Sequence, residues 1–195
     1  MSDRNADTYG LSPETSQAAV AAPQLQYQPP KPRNPTRPIA LIGCGGIAGH
    51  HLAAYRGAGF NVRALCDLDI EKARTRQQQY FPDAICLADY RSVLEMPEIE
   101  VLDIATHPSE RNEILEAAIN AGKNILSQKP FAEDLETAVR LATLAEERGV
   151  KLAVNQNGRW APHFRWMISA VHAGLLGSVG MINFDLHFDH SWTAG

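Results

Sequence analysis

Six residues, Gly43-Cys-Gly-Gly-Ile-Ala48, carry the spacing G-x-G-x-x-G/A. Where such a run leaves a strand and opens a helix, each small residue has its own use. Gly43 permits a tight turn, Gly45 leaves room for a pyrophosphate against the backbone, and Ala48 lets helix and strand pack closely. The amides near Gly46 and Ile47, at the positive end of the helix dipole, can then hold an anion, with Cys44 between the first two glycines. A glycine-rich turn of this kind can also bind nothing. Asp67 argues for the ligand: it follows Gly45 by 22 positions, close to the ~20 expected of an acidic residue on a ribose. Its carboxylate accepts from two ribose hydroxyls and repels a 2′-phosphate, which favours NAD over NADP. Arg63 is near in sequence but lies along a strand, not in the loop after it. Asp69 is placed to cap the next helix, which leaves Asp67 free of that task.

Other reactive side chains point less clearly to chemistry. Cys44, Cys66 and Cys86 are odd in number, match no zinc spacing, and fall inside or beside strands. They are expected as reduced, buried thiols in a cytoplasmic protein. His187, Asp189 and His190 cluster near the end of the chain. Alternation along a strand puts the first two on one face and His190 on the other, so no metal site is expected.

The elements that must position these residues alternate. Short apolar runs are expected as strands at 38–43, 61–67, 84–87, 100–105, 123–127 and 151–155. Helices are expected at 46–58, from Asp69 towards Tyr80, and at 89–96, 109–121 and 133–148. Gly59, Gly122 and Gly149 stop three of them. Ile114, Leu115, Ala118 and Ile119 form the core face of one helix. Leu135, Ala138, Val139, Ala142 and Ala145 are expected to do the same for the last. Strands and helices in this order imply an α/β, doubly wound, mainly parallel sheet with right-handed crossovers. Ligands in such sheets bind beyond the carboxyl ends of the strands, at Gly43, Asp67, Thr106 and Gln128.

Residues 1–36 are polar and proline-rich and lack either hydrophobic period, so they read as a disordered tail. They also lack the basic start and apolar core of a signal peptide. The 45% hydrophobic content supports a sizeable core. A net charge of -4 gives no reason to expect nucleic acid or an anionic membrane as partner, and no apolar run is long enough to span a bilayer.

The segment Ala121-Gly-Lys-Asn-Ile-Leu-Ser-Gln-Lys-Pro-Phe-Ala132 resembles the signature of the Gfo/Idh/MocA oxidoreductases. The likeness runs from about Ile39 to the end of the chain. It takes in the glycine turn, the Cys66-Asp67 strand end, Ala105-Thr-His-Pro108 and Asn157-Gly-Arg-Trp160. The resemblance implies a Rossmann domain over 37–158, then a linker helix and the first strand of a substrate domain over 159–195. It implies hydride transfer between NAD and a sugar, polyol or related hydroxylated molecule. Lys129 would sit beside the nicotinamide ribose and the reacting carbon as the catalytic residue. Thr106, His107, Pro108 and Gln128 would line the cofactor, and Arg159 and Trp160 could reach substrate. Gln128 stands where the family usually has glutamate. Arg111 stands where histidine is common and is expected on a solvated helix face. The family's aspartate-and-histidine motif, its catalytic acid or base, is expected beyond Gly195. A non-catalytic dinucleotide-binding module or an inactive fragment is therefore the alternative reading. Family members often dimerise, so a homo-oligomer is possible.

Overall fold

The computed structural model describes residues 21–185 and 187. Two units are distinguished: Pro29–Phe164, and a second formed by the residues on either side of it in the chain. The first holds six parallel strands: β1 (Pro38–Ile42), β2 (Asn61–Cys66), β3 (Ile85–Leu87), β4 (Val101–Ile104), β5 (Asn124–Gln128) and β6 (Leu152–Asn155). Their order across the sheet is β3-β2-β1-β4-β5-β6, and every neighbouring pair is parallel. The order reverses between β1 and β4, so a crevice opens there between the turns that leave these two strands. This is the Rossmann arrangement.

Between the strands run α1 (Gly46–Ala58), α2 (Ile70–Tyr80), α3 (Tyr90–Leu94), α4 (Pro108–Asn120) and α5 (Leu135–Glu147). Local chemistry sets their ends. Asp69, Asp89 and Asp134 cap α2, α3 and α5 by accepting from the backbone N–H groups of Glu71, Arg91 and Thr137. Gly59 ends α1 at φ 72°, a left-handed conformation that glycine takes without steric cost.

Two apolar layers flank the sheet. Leu41, Leu52, Leu65 and Ala73 pack on one side, and Leu102, Ile104, Leu115, Ile119 and Leu141 on the other. α4 buries Ile114, Leu115, Ala118 and Ile119 as its periodicity predicts. α5 does not follow the expected face. It buries Leu141 and Ala145, while Leu135 and Val139 are 79% and 56% exposed. A neighbouring apolar stripe, through Leu141, Leu144 and Ala145, packs with the core instead.

A 3-10 turn (Asn157–Trp160) and α6 (Pro162–His172) follow. In the second unit, Arg165 Nε donates to the Tyr27 carbonyl at 2.8 Å, and Ser169 Oγ to that of Gln26 at 3.4 Å. The section of the presumed tail around these two residues therefore has specific partners. Residues 178–185, expected as part of a strand, belong to no ladder. A strand is defined by a hydrogen-bonded neighbour, and none of the described residues supplies one. His187 is described, but Asp189 and His190 lie outside the described residues.

Candidate functional site

The carboxyl ends of the strands open on one cleft of about 930 Å³. Gly43, Gly45, Gly46 and Ile47 line it from the turn after β1, and Asp67, Asp69 and Lys72 from the segment after β2. Thr106, His107 and Pro108 come from the turn after β4, and Gln128, Lys129 and Pro130 from the end of β5. Most of the residues singled out by type and spacing are thus gathered at one place. Cys44 and Ala48 are not in the lining. Both are buried and pack with the core, so they shape the turn without presenting side chains to the cleft. Arg159 and Trp160, in the 3-10 turn, do not line the cleft either.

The glycine turn is divided by function. At Gly43 φ is 95°, and a Cβ there would stand 2.8 Å from the Thr106 backbone nitrogen. The two switch-point turns therefore touch only because this residue has no side chain. Gly45 and Gly46 differ: a Cβ on either would meet no atom within 4 Å. The space before the first turn of α1 is open to the cleft, where free backbone N–H groups and the helix dipole favour an anion. Thr106 Oγ1 is buried and has no hydrogen-bond partner among the described residues. It lines the same cleft beyond the open space. A dinucleotide fits these features.

Asp67 is held by the backbone. Its Oδ2 accepts from Cys44 N–H at 2.7 Å, and its Oδ1 from Asp69 N–H at 2.9 Å. A carboxylate has about four lone-pair sites, so capacity remains for two hydroxyl donors. The first bond also ties the acidic residue to the glycine turn. Arg76 reinforces that turn from α2, with Nε 3.3 Å from the Cys44 carbonyl and an Nη 3.0 Å from that of Gly45.

At the far end of the cleft Lys129 is exposed, follows β5, and is joined to Pro130 by a cis peptide. Its backbone N–H donates to Gln128 Oε1 at 2.6 Å. An ammonium placed there can hydrogen-bond a hydroxyl and oppose developing negative charge.

Arg111 overturns its expected solvated placement. It is 1% exposed, and its guanidinium donates to the carbonyls of Thr106, Gln128 and Pro130. Burial pushes its pKa down from the ordinary arginine value. One buried cation thus joins the turn after β4 to the loop carrying Lys129. Nothing in the surrounding α4 sequence marks it, because its acceptors are carbonyls of other elements.

Residues 37–156 match the family described as "Oxidoreductase family, NAD-binding Rossmann fold", the Gfo/Idh/MocA group. The chain belongs to this family. It is similar to D-apiose dehydrogenase of Paraburkholderia graminis, 34% identical over 153 residues that cover 77% of this chain and 40% of the relative. Among solved structures it is similar to an oxidoreductase from Agrobacterium radiobacter in complex with NAD+, L-tartaric acid and magnesium. That match has TM-score 0.68 and 25% identity and covers 72% of this chain and 41% of the other. A second is KijD10, a 3-ketoreductase from Actinomadura kijaniata, in complex with NADP and TDP-benzene. There the TM-score is 0.65 and the identity 25%, over 73% of this chain and 43% of the other. The Gfo/Idh/MocA chain described here thus spans about two fifths of the length of these relatives. Their names join the fold to both NAD and NADP. Among the described residues no helix is long and apolar enough to cross a membrane.

Proposed function

We propose that this chain is the dinucleotide-binding part of an NAD-dependent oxidoreductase acting on a sugar, polyol or related hydroxylated small molecule. One observation carries the reading. A single cleft has an open anion site at Gly45 and Gly46, a backbone-held carboxylate at Asp67 on one side, and an exposed lysine at Lys129 on the other. The bound nicotinamide would supply the chemistry by accepting hydride from a substrate carbon. The chain's own residues would do the rest. Asp67 accepts from both ribose hydroxyls and leaves no room for a 2′-phosphate. Thr106 and His107 face the nicotinamide half, with Thr106 Oγ1 ready to take a partner. Lys129 holds the reacting hydroxyl and stabilises charge on its oxygen, while Gln128 lies against the cofactor. The substrate class follows the D-apiose dehydrogenase and 3-ketoreductase relatives.

The unpaired cysteines fit a reducing compartment, and a cytoplasmic location is proposed on that ground. Assembly into a homo-oligomer belongs to the same reading. A non-catalytic dinucleotide-binding module is the competing reading, favoured by Gln128, whose amide cannot neutralise Lys129 as a glutamate would. Calorimetric titration with NAD and NADP tests the core of the proposal. NAD should bind more tightly, and equal affinities would remove the role given to Asp67. Substrate-dependent NADH formation that is lost in Lys129→Met would separate the enzyme from the module.

A further inference from the structure

Behind the cleft, a chain of buried polar groups runs from α1 to the backbone of Lys129. Tyr55 OH and His51 Nδ1 each lie 2.7 Å from Asp103 Oδ2, deep in β4. On its other side, His51 Nε2 lies 3.2 Å from Gln128 Nε2 and 3.0 Å from Asn155 Nδ2. Gln128 Oε1 then accepts from Lys129 N–H.

The ends fix the hydrogens along the line from Lys129 through Gln128 and His51 to Asp103, onto which Asn155 Nδ2 joins as a side branch at Nε2. A backbone N–H can only donate, so the Gln128 atom facing Lys129 is its oxygen, and the atom facing His51 is its NH₂. An NH₂ group can only donate, so His51 Nε2 must accept, and the ring proton resides on Nδ1. That proton is donated to Asp103, which as a carboxylate only accepts. Burial, followed by the charge of Asp103, pushes the Tyr55 phenol pKa up, which keeps it a donor to the same oxygen. The bonds from Lys129 through Gln128 and His51 therefore run in one direction, towards Asp103, where the Tyr55 bond also ends.

We infer that His51 is a positioning residue for Lys129. Held in its Nδ1–H tautomer by Asp103, it turns the Gln128 amide so that the oxygen fixes the Lys129 backbone. Gln128 is the matched partner of that tautomer. A glutamate in its place would present acceptors to both Lys129 N–H and His51, and the chain would close only with one added proton, held between the imidazole and the new carboxyl. The amide thus belongs to the wiring of this loop. Its importance for catalysis rests on the dinucleotide reading given above, whereas the wiring itself does not.

The test has a cofactor-free arm and a binding arm, both on the full chain. In the unliganded protein, nitrogen NMR should show His51 with Nδ1 protonated and Nε2 bare. In Gln128→Glu one added proton should lie between the new carboxyl and His51 Nε2, read from the ring-nitrogen and carboxyl-carbon shifts. Hydrogen exchange at the Lys129 amide should speed by about tenfold in His51→Leu and in Gln128→Met, the effect of one ordinary hydrogen bond. Amides of β5 should stay protected in both variants. NADH should bind about tenfold more weakly to both variants, while ADP-ribose, which lacks the nicotinamide, should bind as before. If His51→Leu fails to fold, the two Gln128 variants and the wild-type spectrum decide. A proton on Nε2 in the wild type, or a Gln128→Glu protein with no added proton on either the imidazole or the new carboxyl, would overturn the inference. So would unchanged Lys129 exchange, or equal weakening of NADH and ADP-ribose. If the wild type binds no dinucleotide, the functional reading fails while the NMR arm still judges the wiring.

Discussion

Asp67 accepts two backbone N–H bonds before any ligand arrives, one of them from the glycine turn itself. Replacing it with alanine removes the proposed ribose acceptor and unties Cys44 together. Asp67→Ala should weaken NAD by about 1–3 kcal/mol, the cost of losing a charged hydrogen-bond partner, and should narrow the preference over NADP. Calorimetry of the variant with both dinucleotides measures this. The thiols give a prediction in pH. Burial raises Cys44 and Cys66 from 9.0 to about 12. Above pH 9 the unfolded chain gives up these protons while the folded chain keeps them. Stability is therefore fully present below pH 9 and falls as pH rises towards 12, by up to ~1.4 kcal/mol per pH unit for each thiol. Urea midpoints measured from pH 8 to 11 should fall, and the slope should lessen in Cys66→Ala. At this scale the sequence was legible wherever a residue acts through local spacing, as Gly43, Gly45 and Asp67 do. Arg111, His51 and Asp103 act across elements, so their roles depend on pairings that spacing does not reveal. Asp103 left one trace: a carboxylate in the apolar run Val-Leu-Asp-Ile must find partners if that strand is buried.

The elements carry the motif in two separable parts. Gly43 at φ 95° closes the contact between the β1 and β4 turns, whereas Gly45 faces open space with φ at -70°. Alanine should therefore act differently at the two sites. Gly43→Ala forces a Cβ against the Thr106 backbone in a left-handed conformation and should destabilise the fold by about 2–4 kcal/mol. Gly45→Ala should leave the melting temperature within about a degree yet weaken dinucleotide binding by tenfold or more, since its methyl enters the space proposed for the pyrophosphate. Thermal melts and titrations of both variants provide the comparison. A strong loss of stability in Gly45→Ala would show that its freedom serves the fold instead. The same division explains what periodicity can read. α4 is readable from a single apolar stripe and the glycine after it, and α1 from the glycines at its two ends. α5 offers two adjacent apolar stripes, one of alanines with Leu135 and Val139 and one through Leu141, Leu144 and Ala145, so its buried face is chosen by tertiary packing around Leu141 and Ala145.

For the molecule as a whole, alternating strands and helices were enough to imply the sheet, because each parallel connection requires a crossover. The order β3-β2-β1-β4-β5-β6 then puts four strand ends at one cleft. The contacts of Gln26 and Tyr27 with α6 were not legible, since their acceptors are backbone carbonyls in a segment without hydrophobic pattern. The Arg111 cluster has a consequence for the order in which the molecule assembles. Two of its carbonyl acceptors lie 17 and 19 positions further along the chain, at the end of β5 and just after it, where they come within reach only once β5 has docked beside β4. A guanidinium withdrawn from water before then would lack partners at a cost of several kcal/mol, so this corner should close after the folding barrier has been crossed. Arg111→Met should therefore speed unfolding by about tenfold while changing the folding rate less than about twofold, which stopped-flow chevrons can resolve. Arg111 would then act as a latch, setting how long the cleft stays assembled rather than how quickly it forms.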